Sequence, residues 1–162
     1  MAKRSSNRRS LWLFKSEPGT YGWQHLVRDG RTFWGGVRNY QARNLLRDRI
    51  KQGDGVLFYH SNAEPTAIVG VAEVVAGGYP DPTQFDRASP YFDADSPRDA
   101  PRWYCVDIVP VAALAEPLDR ERLQAEPALA DMMLLKRGAR LSVQPVTAAE
   151  WRTILRLGRV DA

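Results

Sequence analysis

Apolar positions along the chain switch between two periods. "LWLFK" (Leu11 to Lys15) alternates and is rich in aromatics, which predicts a strand. "SEPGTYGWQHLVRDG" turns at Pro18 and Gly19, then predicts a short helix from Trp23 to Arg28 that ends at Gly30. In "NYQARNLLRDRIKQG", Leu45, Leu46 and Ile50 form an apolar stripe, Asn39 is placed to cap, and Gly53 is placed to end the helix. "DGVLFYHS" opens on a turn dipeptide and becomes a strand. "TAIVGVAEVVAGG" is a β-branched run that predicts another, with Gly70 marking a bulge or a close approach.

The segment "YPDPTQFDRASPYFDADSPRDAP" (79–101) breaks this pattern, because no strand persists through so much Pro, Asp and Ser. It reads as an ordered excursion anchored by Tyr79, Phe85, Tyr91 and Phe92. "RWYCVDIVPVAAL" restores a strand. "LDRERLQAEPALADMMLL" gives two helical pieces split by Pro127. "ARLSVQPV" is a last strand, and "TAAEWRTILRLG" closes as a helix with Thr147 and Glu150 in capping-box spacing. The sum is an α+β domain, a mixed sheet of five or six strands with short helices around it.

Composition refines this picture. A chain of 162 residues suits one domain, and 44% hydrophobic with 26% charged residues is ordinary for a globular protein. The formal net charge is +4, but Lys3, Arg4, Arg8 and Arg9 all lie in the first ten residues with no acid among them. Without those four, 19 basic residues face 19 acidic ones, so the excess sits in a basic tail (1–10) ahead of the domain (11–158). That tail reads as a solubilising start or as an arm for nucleic acid. No run reaches the apolar length of a membrane span, and the start lacks the apolar core of a secretory signal, so a cytoplasmic protein with no membrane partner is expected. Cys105, the one cysteine, reads as a buried structural thiol and excludes an internal disulfide.

The candidate chemistry clusters at element ends. Lys15, Ser16 and Glu17 fall at the end of the first strand. Trp34, Arg38, Asn39 and Tyr40 run into a helix start, with Arg43 a turn later. Tyr59, His60, Ser61 and Asn62 close the next strand. Aromatic faces with amide and hydroxyl groups suit a planar heterocycle, the rings stacking and the polar groups reading its edge. Arg38 and Arg43 are placed to meet a flanking phosphate.

"LWLFKSEP", "WGGVRNYQARN", "GDGVLFYHSN" and "IVGVAEVV", in this order and spacing, resemble the EVE domain family from Leu11 to about Leu157. The resemblance implies a PUA-like fold, a curved sheet forming a pseudo-barrel with flanking helices, related to the YTH and ASCH domains. It also implies a non-enzymatic binder of a modified base in DNA or RNA, with no cofactor. On that reading Lys15 and Ser16 lie beside the base, Trp34 and Tyr40 are stacking walls, Asn39 reads an edge, and Tyr59 to Asn62 complete the pocket. Trp103 and Met132 are placed on its far side.

Packing explains some of these residues equally well. Trp12, Trp23 and Trp151 sit in patterned elements and read as core, and Trp34 reads as core or wall. Asn39 can simply cap, Asn62 can shape a turn, and Glu17 can pair with Arg43 or Arg38. A small hydrolase using His60 and Ser61 is the enzymatic alternative, although neighbours on a strand point to opposite faces. A protein-interaction domain docking through 79–101 is the third.

Overall fold

All five segments expected as strands are strands in the computed structural model, which describes residues 9–138 and 140–160. The chain runs β1 (Leu11–Ser16), α1 (Pro18–Tyr21), α2 (Trp23–Asp29), β2 (Thr32–Trp34), α3 (Tyr40–Asp48), β3 (Gly55–His60), β4 (Ala67–Pro80), β5 (Tyr104–Asp119), α4 (Arg120–Gln124), β6 (Val143–Val146) and α5 (Ala148–Gly158). Short 3-10 turns cover Pro82–Phe85, Pro127–Leu129 and Met133–Leu135. Most of the basic segment expected at 1–10 lies outside the described residues. Ser10 is already tied to the domain, since its backbone N–H donates to Asp54 at 3.0 Å.

The strands form one mixed, curved and unclosed sheet in the order β2-β5-β4-β3-β1-β6. β1 and β3 are parallel and the other pairings antiparallel. Register shifts interrupt the β3–β4 and β4–β5 ladders. Each shift inserts a local bend, which lets strands as long as β4 and β5 wrap a core instead of lying flat.

Period-two alternation divides the interior in two. Trp12 and Phe14 of β1 join Val56 and Phe58 of β3 in one buried cluster, with Trp23, Leu26, Trp34 and Ile108. Leu13, Leu57 and Tyr59 point the other way, into a cluster with Met132, Trp151 and Ile154. This parity decides which residues can reach any one cavity. Cys105 is fully buried, as its place in a strand implied.

Several elements differ from expectation: β4 runs on to Pro80, into the segment expected to hold no strand, β5 runs on to Asp119, and the turn expected at Pro18 and Gly19 is the short helix α1. The pattern missed β2, a three-residue edge strand that pairs Trp34 with Val106. Three residues carry too little period to register. α3 ends at Asp48, before Gly53: the Arg49 N–H makes the last helical bond to the Leu45 carbonyl, and the Ile50 N–H takes that same carbonyl in a wider turn that leaves the helix. The caps at Asn39 and Thr147 form as expected, with a full capping box at Thr147 and Glu150.

Gly70 is both a bulge position and a close approach. It lies at a register shift, and a Cβ placed there would come within 2.5 Å of the Trp23 ring. Gly70→Ala is therefore expected to push Trp23 and α2 off the sheet and lower stability by about 1–3 kcal/mol. Urea unfolding of the variant measures this, and an unchanged midpoint would show that α2 can shift freely.

Candidate functional site

A cavity of about 600 Å³ opens where β1 ends, between α1, β2 and the loop leading into α3. That volume lies within the range of small-molecule sites, about 300–1,000 Å³. Lys15, Ser16, Glu17, Trp34, Arg38 and Asn39 line it, so the end of the first strand and the Trp34–Asn39 stretch do converge. Tyr21, Phe33, Tyr91 and Thr83 complete the wall.

Trp34 belongs both to the cavity and to the core. Only 9% of its surface is exposed. Its ring packs 5.2 Å from Phe14 and 5.5 Å from Phe58, with Tyr21 edge-on at 6.5 Å. The cavity floor is thus the outermost layer of the hydrophobic core. Phe33 and Tyr91, at 42% and 41% exposure, stand at the rim as partly exposed aromatic rings.

The polar lining is partly committed. Ser16 donates its hydroxyl to the Tyr21 carbonyl at 2.5 Å. Asn39 spends its side-chain oxygen on the Ala42 N–H at 2.9 Å, capping α3. Its amide nitrogen and the Glu17 carboxylate have no partner among the described residues. Glu17 pairs with neither Arg38 nor Arg43. Burial, with the Arg120 charge, lowers the Lys15 ammonium below the usual lysine value.

Arg38 does not wait for a phosphate. Its guanidinium donates to the Tyr91 carbonyl at 2.6 Å, Thr83 Oγ1 at 3.1 Å, Asp81 at 3.2 Å and the Val37 carbonyl at 3.1 Å. Every nitrogen is engaged, and the group also lies over the Trp103 and Tyr91 rings. The expectation of a phosphate contact is corrected: Arg38 fastens the 79–101 excursion to the cavity.

Asp81 is the other half of that fastening. Fully buried, it accepts from Gly36 N–H at 2.7 Å, Thr83 N–H at 2.8 Å, Thr83 Oγ1 at 2.6 Å and Arg38. Burial alone would raise its pKa. The hydrogen bonds from Thr83, Gly36 and Arg38 together outweigh burial and hold it below the usual carboxylate range. Gly36 has φ +76°, and a Cβ there would meet the Tyr91 ring at 2.9 Å, so only glycine lets Tyr91 close the wall.

The excursion is ordered through polar anchors that the sequence reading missed. Gln84, fully buried, donates to the Asp81 and Trp103 carbonyls, and accepts from the Ser96 hydroxyl at 2.6 Å and the Trp103 N–H at 3.1 Å. Among the aromatics expected to anchor it, Tyr91 and Phe92 are exposed. Trp103 is not on the cavity's far side. Its indole donates to Asp93 at 2.7 Å and its face stacks on Tyr40 at 4.9 Å.

The remaining candidates sit elsewhere. Tyr40 and Arg43 form a stack outside the cavity, the guanidinium 4.9 Å above the ring while it donates to the Arg102 carbonyl. Tyr59 and Met132 are buried in the opposite cluster, because strand parity turns Tyr59 away. The Ser61 N–H extends the sheet to the Ser16 carbonyl, and Asn62 turns the chain at φ +49°. His60 Nε2 accepts from the Trp23 N–H at 3.1 Å, and His25 Nδ1 from the Gly22 N–H at 2.7 Å. Both rings are thus used by backbone amides rather than by a serine hydroxyl. Among the described residues no group of three or more His, Cys, Asp or Glu side chains could hold a metal ion, and no helix is long and apolar enough to cross a membrane.

A family model described as "EVE domain" matches residues 10–157. The chain belongs to the EVE domain family. Thymocyte nuclear protein 1 of Danio rerio is 38% identical, over 94% of this chain and 73% of its own. A crystal structure of a Pseudomonas syringae protein shares 41% identity at TM-score 0.87, covering 92% of this chain and 99% of that one. Human THYN1, solved in complex with DNA containing 5-methylcytosine, shares 35% identity at TM-score 0.85, covering 94% and 99%. The YTH domain of Zygosaccharomyces rouxii MRB1 aligns at TM-score 0.53 and 14% identity over 96% of this chain and 91% of its own, which relates the fold alone. The α+β, PUA-like architecture follows from these neighbours and the observed sheet.

Two outcomes test the support of this cavity. Asp81→Asn sets a side-chain NH2 against the Gly36 N–H and the Arg38 guanidinium, and a broken buried pair costs on the order of 3 kcal/mol. Hydrogen exchange should lose protection in residues 35–38 and 81–103 before the rest of the sheet opens. The second test uses pH. Burial lowers the His60 pKa, so the fold favours the neutral ring that accepts from Trp23. An unfolded histidine takes up its proton near 6.5 and the folded one only below that. Stability is therefore full above about pH 6.5 and falls as pH drops below it. Chemical denaturation at pH 7.5 and pH 5.5 reads this loss, which His60→Gln should reduce.

Proposed function

We propose that this domain is a non-catalytic reader that receives a modified base, turned out from nucleic acid, in the cavity above Trp34. One observation carries the reading: an aromatic floor and rim enclose a cavity of suitable size that keeps uncommitted polar groups at its edge. Trp34 offers a flat apolar base, and Phe33 and Tyr91 offer flanking rings. Glu17 supplies an acceptor and the Asn39 amide a donor, a pair suited to the exocyclic amine and ring edge of a cytosine. DNA is the favoured source, because human THYN1 was solved with 5-methylcytosine DNA. Extrusion costs a few kcal/mol of stacking, which stacking inside the cavity offsets.

Fluorescence anisotropy with short duplexes at fixed salt tests this, each carrying one cytosine, 5-methylcytosine or another modified base. A modified duplex should bind more tightly than its unmodified twin. Tyr91→Ala should weaken that binding by about 1–3 kcal/mol while the melting temperature barely moves, since its ring stands at the rim. Glu17→Gln should narrow the preference between bases. Equal affinity for every duplex would refute base reading.

A further inference from the structure

A second concavity of about 450 Å³ lies beside the first, on the far side of Asn39. Asn39 lines both, and Leu141 of the second is followed in the chain by Ser142 of the first. Gln41 closes one wall. Lys136, Arg137 and Arg140 form the rest of its polar lining, and no acid lines it. All three cations are exposed.

Five arginines among the described residues are neutralised by the fold. Arg28, Arg31, Arg38, Arg47 and Arg102 each sit against a carboxylate. Lys136, Arg137 and Arg140 have no carboxylate partner among the described residues. Three like charges gathered around one hollow repel one another, and among the described residues their side chains make no hydrogen bond or ion pair that would offset this. Arg120, the nearby cation that the fold does use, donates to the Leu134 carbonyl. An uncompensated cationic concavity is suited to an anion, and phosphate, like carboxylate, matches the donor geometry of Arg, while Lys binds it as a point charge.

We propose that the hollow formed by Lys136, Arg137 and Arg140 binds the phosphodiester backbone immediately next to the nucleotide whose base occupies the Trp34 cavity. This rests on the reading of that cavity as a base site. The shared Asn39 wall sets the two within neighbouring-nucleotide reach, so a strand that delivers its base to one lays its phosphates along the other. The contribution is sequence-blind, since phosphates carry no base identity. Base choice stays with the first cavity, while the second supplies attraction and register.

The test replaces all three residues (Lys136→Gln, Arg137→Gln, Arg140→Gln). A control removes the same charge elsewhere on the surface (Arg49→Gln, Arg152→Gln, Arg156→Gln). Affinities for a 5-methylcytosine duplex and its unmodified twin are measured from low to high salt. Each lost phosphate contact lowers the slope of log K against log salt by about 0.9. The site variant should lose about 2–3 from that slope, weaken both duplexes by the same factor, and keep their affinity ratio. The control should change the slope by less than 1, and both variants should melt with the wild type. An unchanged slope, or an equal loss in the control, overturns the phosphate site while leaving the base reading intact. A changed ratio between the duplexes overturns the division of labour. No preference for the modified duplex by the wild type overturns the base reading, and a retained salt effect in that case identifies a general nucleic-acid surface.

Discussion

Everything that shapes the cavity leans on the buried contact between Asp81 and Arg38. Asp81 lies far in sequence from the loop it holds, and it accepts four hydrogen bonds from three residues without touching solvent. A buried carboxylate is tolerable only when its lone pairs are filled. Here they are filled by the two segments that must come together, the 35–38 loop and the start of the excursion. Arg38 then spans from Asp81 to the Tyr91 carbonyl and stacks on two rings. One ion pair thereby converts a Pro- and Asp-rich stretch without strands into a fixed wall.

Gln84 performs the matching task inside that stretch. With no charge, it serves both ends of the segment through its amide, bonding Asp81 and Trp103 on one side and Ser96 on the other. The excursion is thus organised around polar side chains in its interior, while two of its aromatic residues, Tyr91 and Phe92, are turned outward. This inversion of the usual globular pattern leaves Tyr91 and Phe92 as surface groups beside the opening.

Much of the fold was legible because long strands and helices carry a strong period. β1, β3, β4, β5, both capped helices and the close approach at Gly70 all follow from local pattern. β2 was not legible, since three residues show no alternation. The cavity was legible in outline, as Lys15 to Glu17 and Trp34 to Asn39 announce themselves by mixing polar with aromatic groups at element ends. The "YHSN" run misled because adjacency in sequence is not adjacency in space. Strand parity sends Tyr59 to the opposite core, and His60 is spent on the Trp23 amide. Arg38 misled for a related reason: an arginine looks available until a buried aspartate, distant in sequence, claims it. Asp81 and Gln84 carried no local signal, and Tyr91 was legible only as an anchor of the excursion, as their role in the cavity wall exists only once two distant segments meet.

The double membership of Trp34 constrains how this site can diversify. A residue that is at once core filling and cavity floor cannot change shape without changing what Phe14, Phe58 and Tyr21 rest against. Under the proposed function, change in what the cavity accepts is therefore channelled to the rim, where Glu17, Phe33 and Tyr91 are exposed. Such a site keeps a constant platform and varies its border. Under the same proposal, two descendants of this chain would differ in which groups they read around the edge of a base, and would still lay that base on the same indole.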